Sequence, residues 1–388
     1  MDVLIRGGTW HQEKCLQAVM TNRMLREGTI RQDSSEIAVT LDHCGATLEQ
    51  SATATHSILT LYCLRKHFAM LLDVVHDMLN CPTFDEKQFR TVLDMNKQNT
   101  IIGNRQVDMM AHRRLSQMLF GVHHPLGHVP DVEDYDRIGV ADLKAFWRQN
   151  YHNENLLVYL SGNVTDKDVA LVEERIHGFD RLTNQIDSNS YGPRPTLAAA
   201  TTQPTTEDFV RIKSVDAVQG CVQMGVVGVA ATHPDYGKLN VAVTALGGYF
   251  ASRLMSNIRE RHGWTYGINA SLVNYPGMSV MRIQADATSE YLERIVAETR
   301  NEIDRLGNEP MPESELTVVR NSMIADWNRT YESALSMADI PIFAEVSGQG
   351  MNTLHSVLND ILTVTPCDIT RVVEQHICKQ ILKVVLVE

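Results

Sequence analysis

The side chains with the strongest metal-binding chemistry fall in two short clusters of the sequence. His123, His124 and His128 lie within one loop rich in Gly and Pro, and Cys15 follows His11 by four residues. A zinc site needs three or four imidazole, thiolate or carboxylate ligands in a defined geometry. The loop has no acid in helical register, and one helical turn with His11 and Cys15 supplies only two ligands. We interpret both clusters as structural, and the sequence contains neither HxxEH nor HExxH.

The composition of the 388-residue chain is that of a globular protein with more than one core. Apolar residues make up 44%, charged residues 21%, and the formal net charge is −12. So long a chain exceeds what a single hydrophobic core usually holds. The excess of acidic groups argues against nucleic acid and anionic membranes as partners, because both bind basic surfaces. Seven scattered cysteines without a CxxC pair favour a reducing compartment, and with no signal-like stretch visible we expect a cytoplasmic protein.

A change of composition divides the chain near its middle. Residues 188–205 are rich in Ser, Thr, Pro and Ala and have no hydrophobic period. That composition is typical of a linker. We therefore predict an N-terminal domain over residues 1–187 and a C-terminal domain over residues 206–388.

Each half alternates apolar strands with amphipathic helices. In the first half, Thr83-x-x-Glu86 matches a capping box and predicts the start of a helix. Hydrophobic periodicity predicts the remaining elements of both halves. Strands are predicted within residues 46–61, 156–161, 219–229, 265–272, 279–285 and 381–387, and helices over residues 64–79, 86–99, 142–151, 236–260, 290–306 and 368–380. The repeated order predicts a duplicated α+β unit.

Five stretches, in this order along the chain, resemble the pitrilysin/insulinase family of metallopeptidases, which includes the mitochondrial processing peptidases. They cover residues 23–29 (RMLREGT), 120–127 (FGVHHPLG), 151–162 (YHNENLLVYLSG), 246–260 (LGGYFASRLMSNIRE) and 263–267 (GWTYG). The resemblance extends over almost the whole chain. It implies two similar α+β domains, each with a mainly antiparallel sheet packed against helices.

In that family, two histidines four residues apart on a helix and a distant glutamate hold zinc, and a glutamate between the histidines activates water. Alignment on the Gly-Thr pair after the helix implies that Val19, Asn22 and Arg23 occupy the His, Glu and His positions. The distant ligand falls near Met95, although the neighbouring Asp94 leaves that register open.

These substitutions remove the chemistry that zinc needs. Valine has no donor atom, asparagine cannot take a proton from water, and arginine repels a dication. We therefore expect no metal and no other cofactor in this chain. Arg23 is expected to pair with Glu27 at i+4 or with a carboxylate across the former cavity.

In heterodimeric relatives, the subunit without zinc supplies an Arg/Tyr pair to its partner's cleft, and the resemblance places that pair at Arg259 and Tyr266. We expect Arg259 in the last turn of a helix that stops at Gly263, where the helix dipole alone favours an arginine by about 0.3–1 kcal/mol. Tyrosine is common at strand starts, so purely structural roles for both residues are the alternative.

Arg253 is expected to brace its helix or an interface. Gly247 and Gly248 match no phosphate-binding pattern and are expected to allow close helix packing.

The resemblance thus implies the non-zinc-binding subunit of a heterodimeric zinc metallopeptidase, inactive alone. An HxxEH-bearing homologous partner would hold the zinc, and the substrate would be an unfolded peptide. A homodimer in isolation is left open, and neither a nucleic-acid nor a membrane partner is expected. The alternative is a structural or peptide-holding protein of the same fold without a catalytic role.

Overall fold

The computed structural model describes residues 1–177, 202–214 and 217–388. The chain forms two compact units, Met1–Ile101 with Pro130–Ala199, and Ile102–Val129 with Ala200–Glu388. The predicted linker at residues 188–205 lies outside the described residues except for its last four. The division differs from the predicted one at residues 102–129, which precede the middle of the chain and belong to the second unit.

The first unit contains a four-stranded antiparallel sheet of order β2-β3-β1-β4. Its strands are β1 (Asp2–Ile5), β2 (Thr47–Ala52), β3 (Ser57–Tyr62) and β4 (Leu156–Tyr159). The helices of the first half of the chain are α1 (Gln17–Met24), α2 (Ser34–Cys44), α3 (Phe68–Asn80), α4 (Glu86–Gly103), α5 (Val107–Phe120), α6 (Val140–Asn150) and α7 (Asp166–His177). Of these, α5 lies in the second unit.

The alternation of buried and partly buried residues along β3 shows which face of the sheet belongs to the core of the first unit. Leu59 and Leu61 are buried, whereas Thr60 between them is only partly buried. The buried side chains pack with residues of α1, α2, α3, α4 and α6 in one apolar cluster. Apolar residues at every second position therefore direct one face of the sheet towards the helices.

The start of α4 differs from the predicted capping box. Asp85 caps this helix, because its Oδ1 accepts the backbone N–H groups of Lys87 and Gln88 at 3.0 and 2.9 Å. Thr83 instead donates its hydroxyl to the carbonyl oxygen of Gly28 at 3.1 Å. The predicted helix is present, but its N-terminal cap is a carboxylate two residues after the predicted one.

The second unit contains a five-stranded sheet of order β5-β9-β6-β8-β7, in which only the β5–β9 pair is parallel. Its strands are β5 (Phe209–Ile212), β6 (Gly220–Gly228), β7 (Thr265–Tyr275), β8 (Met278–Ala287) and β9 (Lys383–Val387). Its remaining helices are α8 (Tyr236–Val243), α9 (Ser289–Asn308), α10 (Glu313–Arg329), α11 (Ala334–Val346), α12 (Gly350–Thr363) and α13 (Pro366–Val373). The α+β class expected for both halves is confirmed.

Helices cover both faces of the central strands in the second unit. Every residue of β9 is buried, as are the first seven residues of β6. On one face the apolar cluster includes α8, α9, α10, α12 and α13. On the other face, α5 contributes Leu115, Leu119 and Phe120 to a second cluster. Because helices cover both faces of these strands, β6 and β9 can be apolar along nearly their whole length. A strand buried on both faces needs no alternation of apolar and polar residues.

The single long helix predicted over residues 236–260 is interrupted. After α8 the chain forms a π-helical turn at Thr244–Gly248, leaves the helical conformation at residues 249–252, and forms a second π-helical segment at Met255–Arg261. A Cβ atom on Gly247 would lie 2.6 Å from the Cβ of Ala270 on β7. The glycine therefore permits the close approach of this turn to the sheet, which periodicity alone did not reveal.

All seven cysteines lie within the described residues and are free thiols. No helix in the described part of the chain combines the length and apolarity that a membrane span requires.

Candidate functional site

Helix α1, which carries three of the degenerate positions, is anchored along α6. The side-chain amide of Gln17 donates to the carbonyl oxygen of Asp142 at 2.8 Å, and the Thr21 hydroxyl donates to that of Leu143 at 3.4 Å. Val19 is half-buried on this helix. The two contacts fix the rotation of α1 about its axis, so the positions of Asn22 and Arg23 are determined by packing against α6.

Asn22, at the position of the water-activating glutamate, links α1 to the sheet. Its side chain is 1% exposed. Its Nδ2 donates to the carbonyl oxygens of Ser51 at 2.6 Å and Ile58 at 3.1 Å. The side chain of Gln50 in turn donates to the Asn22 carbonyl oxygen. Both N–H groups of the amide are therefore used to hold β2 and β3 against α1, and the group offers no base for water.

Arg23, at the second histidine position, contacts an amide on α4. Its Nη1 donates to Oδ1 of Asn96, and Nδ2 of Asn96 donates to the Val92 carbonyl oxygen at 2.6 Å. Asn96 is buried, whereas Met95 is 53% exposed. The structure therefore brings Asn96, one residue after the aligned position, towards α1. Asn96 could have been identified from the sequence, because Phe89, Val92 and Asn96 follow the helical spacing of the buried face of α4.

The partner of Arg23 is thus an amide and not the carboxylate expected at Glu27. Burial raises the pKa of Glu27, and the nearby cations Arg26 and Arg23 oppose that increase. The face of α1 aligned with the zinc ligands therefore presents an alkyl group, a guanidinium, and an amide whose two N–H groups are engaged while its Oδ1 has no hydrogen-bond partner in the described residues. None of these side chains is an imidazole, a thiolate or a carboxylate, the ligands that hold zinc in proteins.

The predicted Arg/Tyr pair lies on either side of one turn in the second unit. Arg259 is in the last turn of the segment Met255–Arg261, and Gly263 ends that segment at a φ of +67°. The Trp264 ring stacks 4.1 Å from the His262 ring and 5.9 Å from that of Tyr291. The predicted helix stop at Gly263 is confirmed, and aromatic stacking holds the turn that follows it.

Tyr266 begins β7 at an irregularity of the ladder. Thr265 pairs with Ala287 and Ile268 with Ala285, so β7 contains one extra residue between these pairs. The Thr265 hydroxyl donates to the Asp286 carbonyl oxygen at 2.7 Å and fixes the distortion. Bulges re-aim side chains at sheet edges and functional sites. The Tyr266 side chain is accordingly 90% exposed.

The guanidinium of Arg259 lies over an aromatic ring. Its Cζ is 4.8 Å from the centroid of Phe250, whose side chain is itself 64% exposed. Within the part of the chain that the structure describes, the Arg259 side chain has neither an ion pair nor a hydrogen bond. A cation–π contact orients a guanidinium while leaving its N–H donors free.

Arg253, in the same segment of sequence, has the opposite environment. Its Nε and Nη2 donate to the two carboxylate oxygens of Glu315 on α10 at 2.7 and 3.0 Å. The two side chains are 14% and 26% exposed. This bidentate pair uses the guanidinium inside the unit, in agreement with the bracing role expected for Arg253.

The fold and the first helix together define a peptidase-like protein. It has the scaffold of a zinc hydrolase, but α1 carries none of the expected zinc ligands. Two family models match the chain, "Insulinase (Peptidase family M16)" over residues 3–122 and "Peptidase M16 inactive domain" over residues 137–323. The chain belongs to the M16, or insulinase, family of peptidases. The resemblance drawn from the sequence is confirmed.

Several known proteins are similar to this chain. An uncharacterized zinc protease of Bacillus subtilis is 21% identical over 93% of this chain and 85% of its own length, and one of Mycobacterium bovis is 25% identical over 77% and 67%. A probable inactive metalloprotease of Bacillus subtilis is 20% identical over 63% and 55%.

Solved structures show the same fold. A peptidase M16 inactive domain from Pseudomonas fluorescens has a TM-score of 0.85, and a protease from Helicobacter pylori has 0.88. Both are 18% identical, and each alignment covers 100% of this chain and 92% of the other. Together with the family models, these similarities fit a non-catalytic M16 member.

Proposed function

We propose that this chain is the subunit without zinc in a heterodimeric metallopeptidase, in which an HxxEH-bearing homologue supplies the metal and the water-activating glutamate. The observation that carries the proposal is the state of Arg259, a half-buried cation oriented by Phe250 without an anionic partner in the described residues. The exposed hydroxyl of Tyr266 lies across the same turn. Two oriented donors with unused hydrogen-bonding capacity are suited to binding a ligand outside this chain.

The contrast with Arg253 separates this interpretation from a structural one. An arginine that braces its own domain pairs with a carboxylate, as Arg253 does with Glu315. A guanidinium and a phenol hydroxyl can stabilise the oxyanion that forms when water attacks a peptide carbonyl. Losing one such donor typically costs about 3–4 kcal/mol of transition-state stabilisation.

The substrate class follows from the same chemistry. Main-chain carbonyl groups are present in every peptide, so Arg259 and Tyr266 would recognise the backbone more than a particular side chain. An unfolded segment would be held extended by strand addition to a sheet edge of the zinc-bearing partner. This chain would close the chamber and supply the two donors.

The test is a reconstituted pair of this chain with an HxxEH-bearing homologue from the same organism. Turnover of an unfolded, fluorogenic peptide is measured for the wild type, Arg259→Ala and Tyr266→Phe. We expect kcat to fall about 10²–10³-fold for Arg259→Ala. Complex formation, measured by analytical ultracentrifugation, should be unchanged, because neither residue stabilises its own unit through an ion pair.

Arg261→Ala is the matched control, because Arg261 is an exposed arginine two residues further along the same segment. Its turnover should equal that of the wild type. Unchanged turnover in both Arg259→Ala and Tyr266→Phe would contradict the catalytic proposal. That result would favour the alternative function, a structural or peptide-holding subunit of the same fold.

A further inference from the structure

A second group of metal-binding side chains lies in the second unit. His233 and Asp235 directly precede α8, and His376 lies in the π-helical segment Glu374–Cys378 that follows α13. One ligand atom from each of the three residues lies within 4.8 Å of those of the other two. The sequence places His376 more than 140 positions from the other two, so only folding assembles this group.

Asp235 is the centre of the group, and its carboxylate is held in place. Arg371 on α13 donates from Nη2 to Oδ1 at 2.7 Å and from Nη1 to Oδ2 at 3.1 Å. The Nε2 of His376 lies 2.9 Å from the same Oδ2. A carboxylate oxygen has two lone pairs, so Arg371 fixes the carboxylate through one and His376 uses the other.

We propose that His233, Asp235 and His376 form a binding site for a divalent transition-metal ion, with zinc as the expected ion. Zinc binds imidazole nitrogen and carboxylate oxygen at about 2.0–2.2 Å, so neighbouring ligand atoms in a zinc site are about 3 Å apart. The 2.9 Å separation of His376 Nε2 and Asp235 Oδ2 already matches that spacing. The metal takes the place of the proton between these two atoms, and that proton is released to solvent.

His233 completes the group from the solvent side. Its ring is exposed and lies 5.4 Å from the ring of His376 at an angle of 78°. Its Nδ1 now accepts the backbone N–H of Asp235 at 3.0 Å. An exposed imidazole can turn to present a nitrogen to the ion, and water then satisfies the released N–H. Water also occupies the fourth position of a tetrahedral zinc ion.

The surrounding charges favour a cation. Asp360 interacts electrostatically with Asp235 and with Asp368, so the region holds three carboxylates against the two cations Lys238 and Arg371. Lys238 pairs with Asp368 at 2.9 Å, and Arg371, which shares Oδ2 of Asp235 with His376, forms ion pairs with both Asp235 and Asp368. A dication therefore enters a region with an excess of negative charge.

The position of the group gives the ion a structural role. It would join the start of α8 to the segment after α13, which leads into β9. Metal bound only in the folded state stabilises that state by mass action. The site is separate from Arg259 and Tyr266 and from the aligned positions on α1, so it stands or fails independently of the proposed peptidase function.

The test uses the purified full chain, made metal-free with EDTA and dialysis. It is titrated with ZnCl₂ in competition with a chromophoric chelator, for the wild type, His233→Ala and His376→Ala. We expect one zinc ion per chain in the wild type. Each variant should bind it at least about tenfold more weakly, since even changes in residues around a metal site cost 10–100-fold in affinity. The melting temperature of the wild type should rise with zinc, and that of the variants should not.

His355→Ala is the matched control, because His355 is an exposed histidine on α12 in the same unit. Its zinc affinity should equal that of the wild type. His376→Ala also loses the contact with Asp235, so the exposed His233 provides the variant that tests the ligand without disturbing the fold, as checked by circular dichroism. Wild-type affinity in His233→Ala, an equal loss in His355→Ala, or no zinc binding by the wild type would overturn the proposal.

Discussion

Replacing Asn22 by Asp tests the claim that the position of the lost catalytic base now has a structural role. The two side chains have nearly the same shape, so the change removes two N–H donors without creating a cavity. In the wild type those donors bond to the carbonyl oxygens of Ser51 and Ile58. In Asn22→Asp a buried carboxylate faces these two carbonyl oxygens and repels them.

The expected loss of stability follows from how deeply Asn22 and its two carbonyl partners are buried. A buried polar group without a partner costs about 1–3 kcal/mol, and a buried charge costs more. Ser51 is exposed and Ile58 is half-buried, so water can reach at least one of the released carbonyl oxygens. Asn22 itself is 1% exposed and receives no such compensation. We therefore expect Asn22→Asp to lower the free energy of unfolding by about 2–4 kcal/mol at pH 7.

The pH dependence of this loss has a defined sign. Burial beside two carbonyl oxygens raises the pKa of the new carboxyl group above its unfolded value of about 3.9. Below pH 4 the group is protonated in both states, and the protonated acid can again donate one hydrogen bond. The difference from the wild type should therefore be smallest near pH 4 and grow as pH rises through the folded-state pKa.

The assay is urea unfolding followed by circular dichroism at pH 7.0 and 4.5, for the variant and the wild type at each pH. Hydrogen exchange of peptides from β2 and β3 shows whether the loss is local to the contact. The matched control is Asn99→Asp, an exposed position on α4 in the same unit, where we expect a change within about 0.5 kcal/mol. The structural role of Asn22 is refuted if Asn22→Asp loses no more unfolding free energy than Asn99→Asp, or if its loss is not smaller at pH 4.5 than at pH 7.0.

Three further predictions concern the second unit, each measured by urea unfolding. Arg253→Ala should cost about 2–4 kcal/mol, because it leaves the carboxylate of Glu315 half-buried and without its bidentate partner, and Arg253→Lys should cost less. Gly247→Ala should cost about 1–3 kcal/mol, because its methyl group would lie 2.6 Å from a side chain of β7. Burial, with Arg282 nearby, lowers the pKa of His112 to about 4, so the folded chain should lose stability as pH falls from about 6.5 to 4, and His112→Gln should remove that part of the loss.

Each of these has an outcome that would contradict it. Equal stability of Arg253→Ala and Arg253→Lys would show that a positive charge at this position does not compensate the carboxylate of Glu315. A neutral Gly247→Ala would show that the turn can move away from the sheet. An unchanged acid profile in His112→Gln would assign the acid sensitivity to other groups.

Local patterns were sufficient to predict most of the strands and about half of the helices in the described part of the chain. The apolar period of α3, the alternation of β3 and the apolar runs of β6 and β9 each depend on residues close together in sequence. The helix stop at Gly263 was predicted for the same reason, since a positive φ there is a local requirement. The lack of His, Cys, Asp and Glu on α1 was equally visible, because the identity of a side chain does not depend on the fold.

The features that the sequence did not predict depend on contacts between residues distant in sequence. The predicted long helix over residues 236–260 is interrupted where Gly247 lies close to Ala270 on β7, a contact that periodicity does not reveal. Asp85 rather than Thr83 caps α4, because Thr83 is engaged with Gly28 across the chain.

The sequence by itself determined the family and the lack of His, Cys, Asp and Glu on α1, since both depend on which side chains are present at short spacings. Only the tertiary structure decided that Asn22 bridges two strands, that Asn96 rather than Met95 meets Arg23, and that His233, Asp235 and His376 come together. These contacts depend on directions in space set by the packing of whole elements. A linear pattern fixes the period of an element, but it does not fix which distant side chain that element will face.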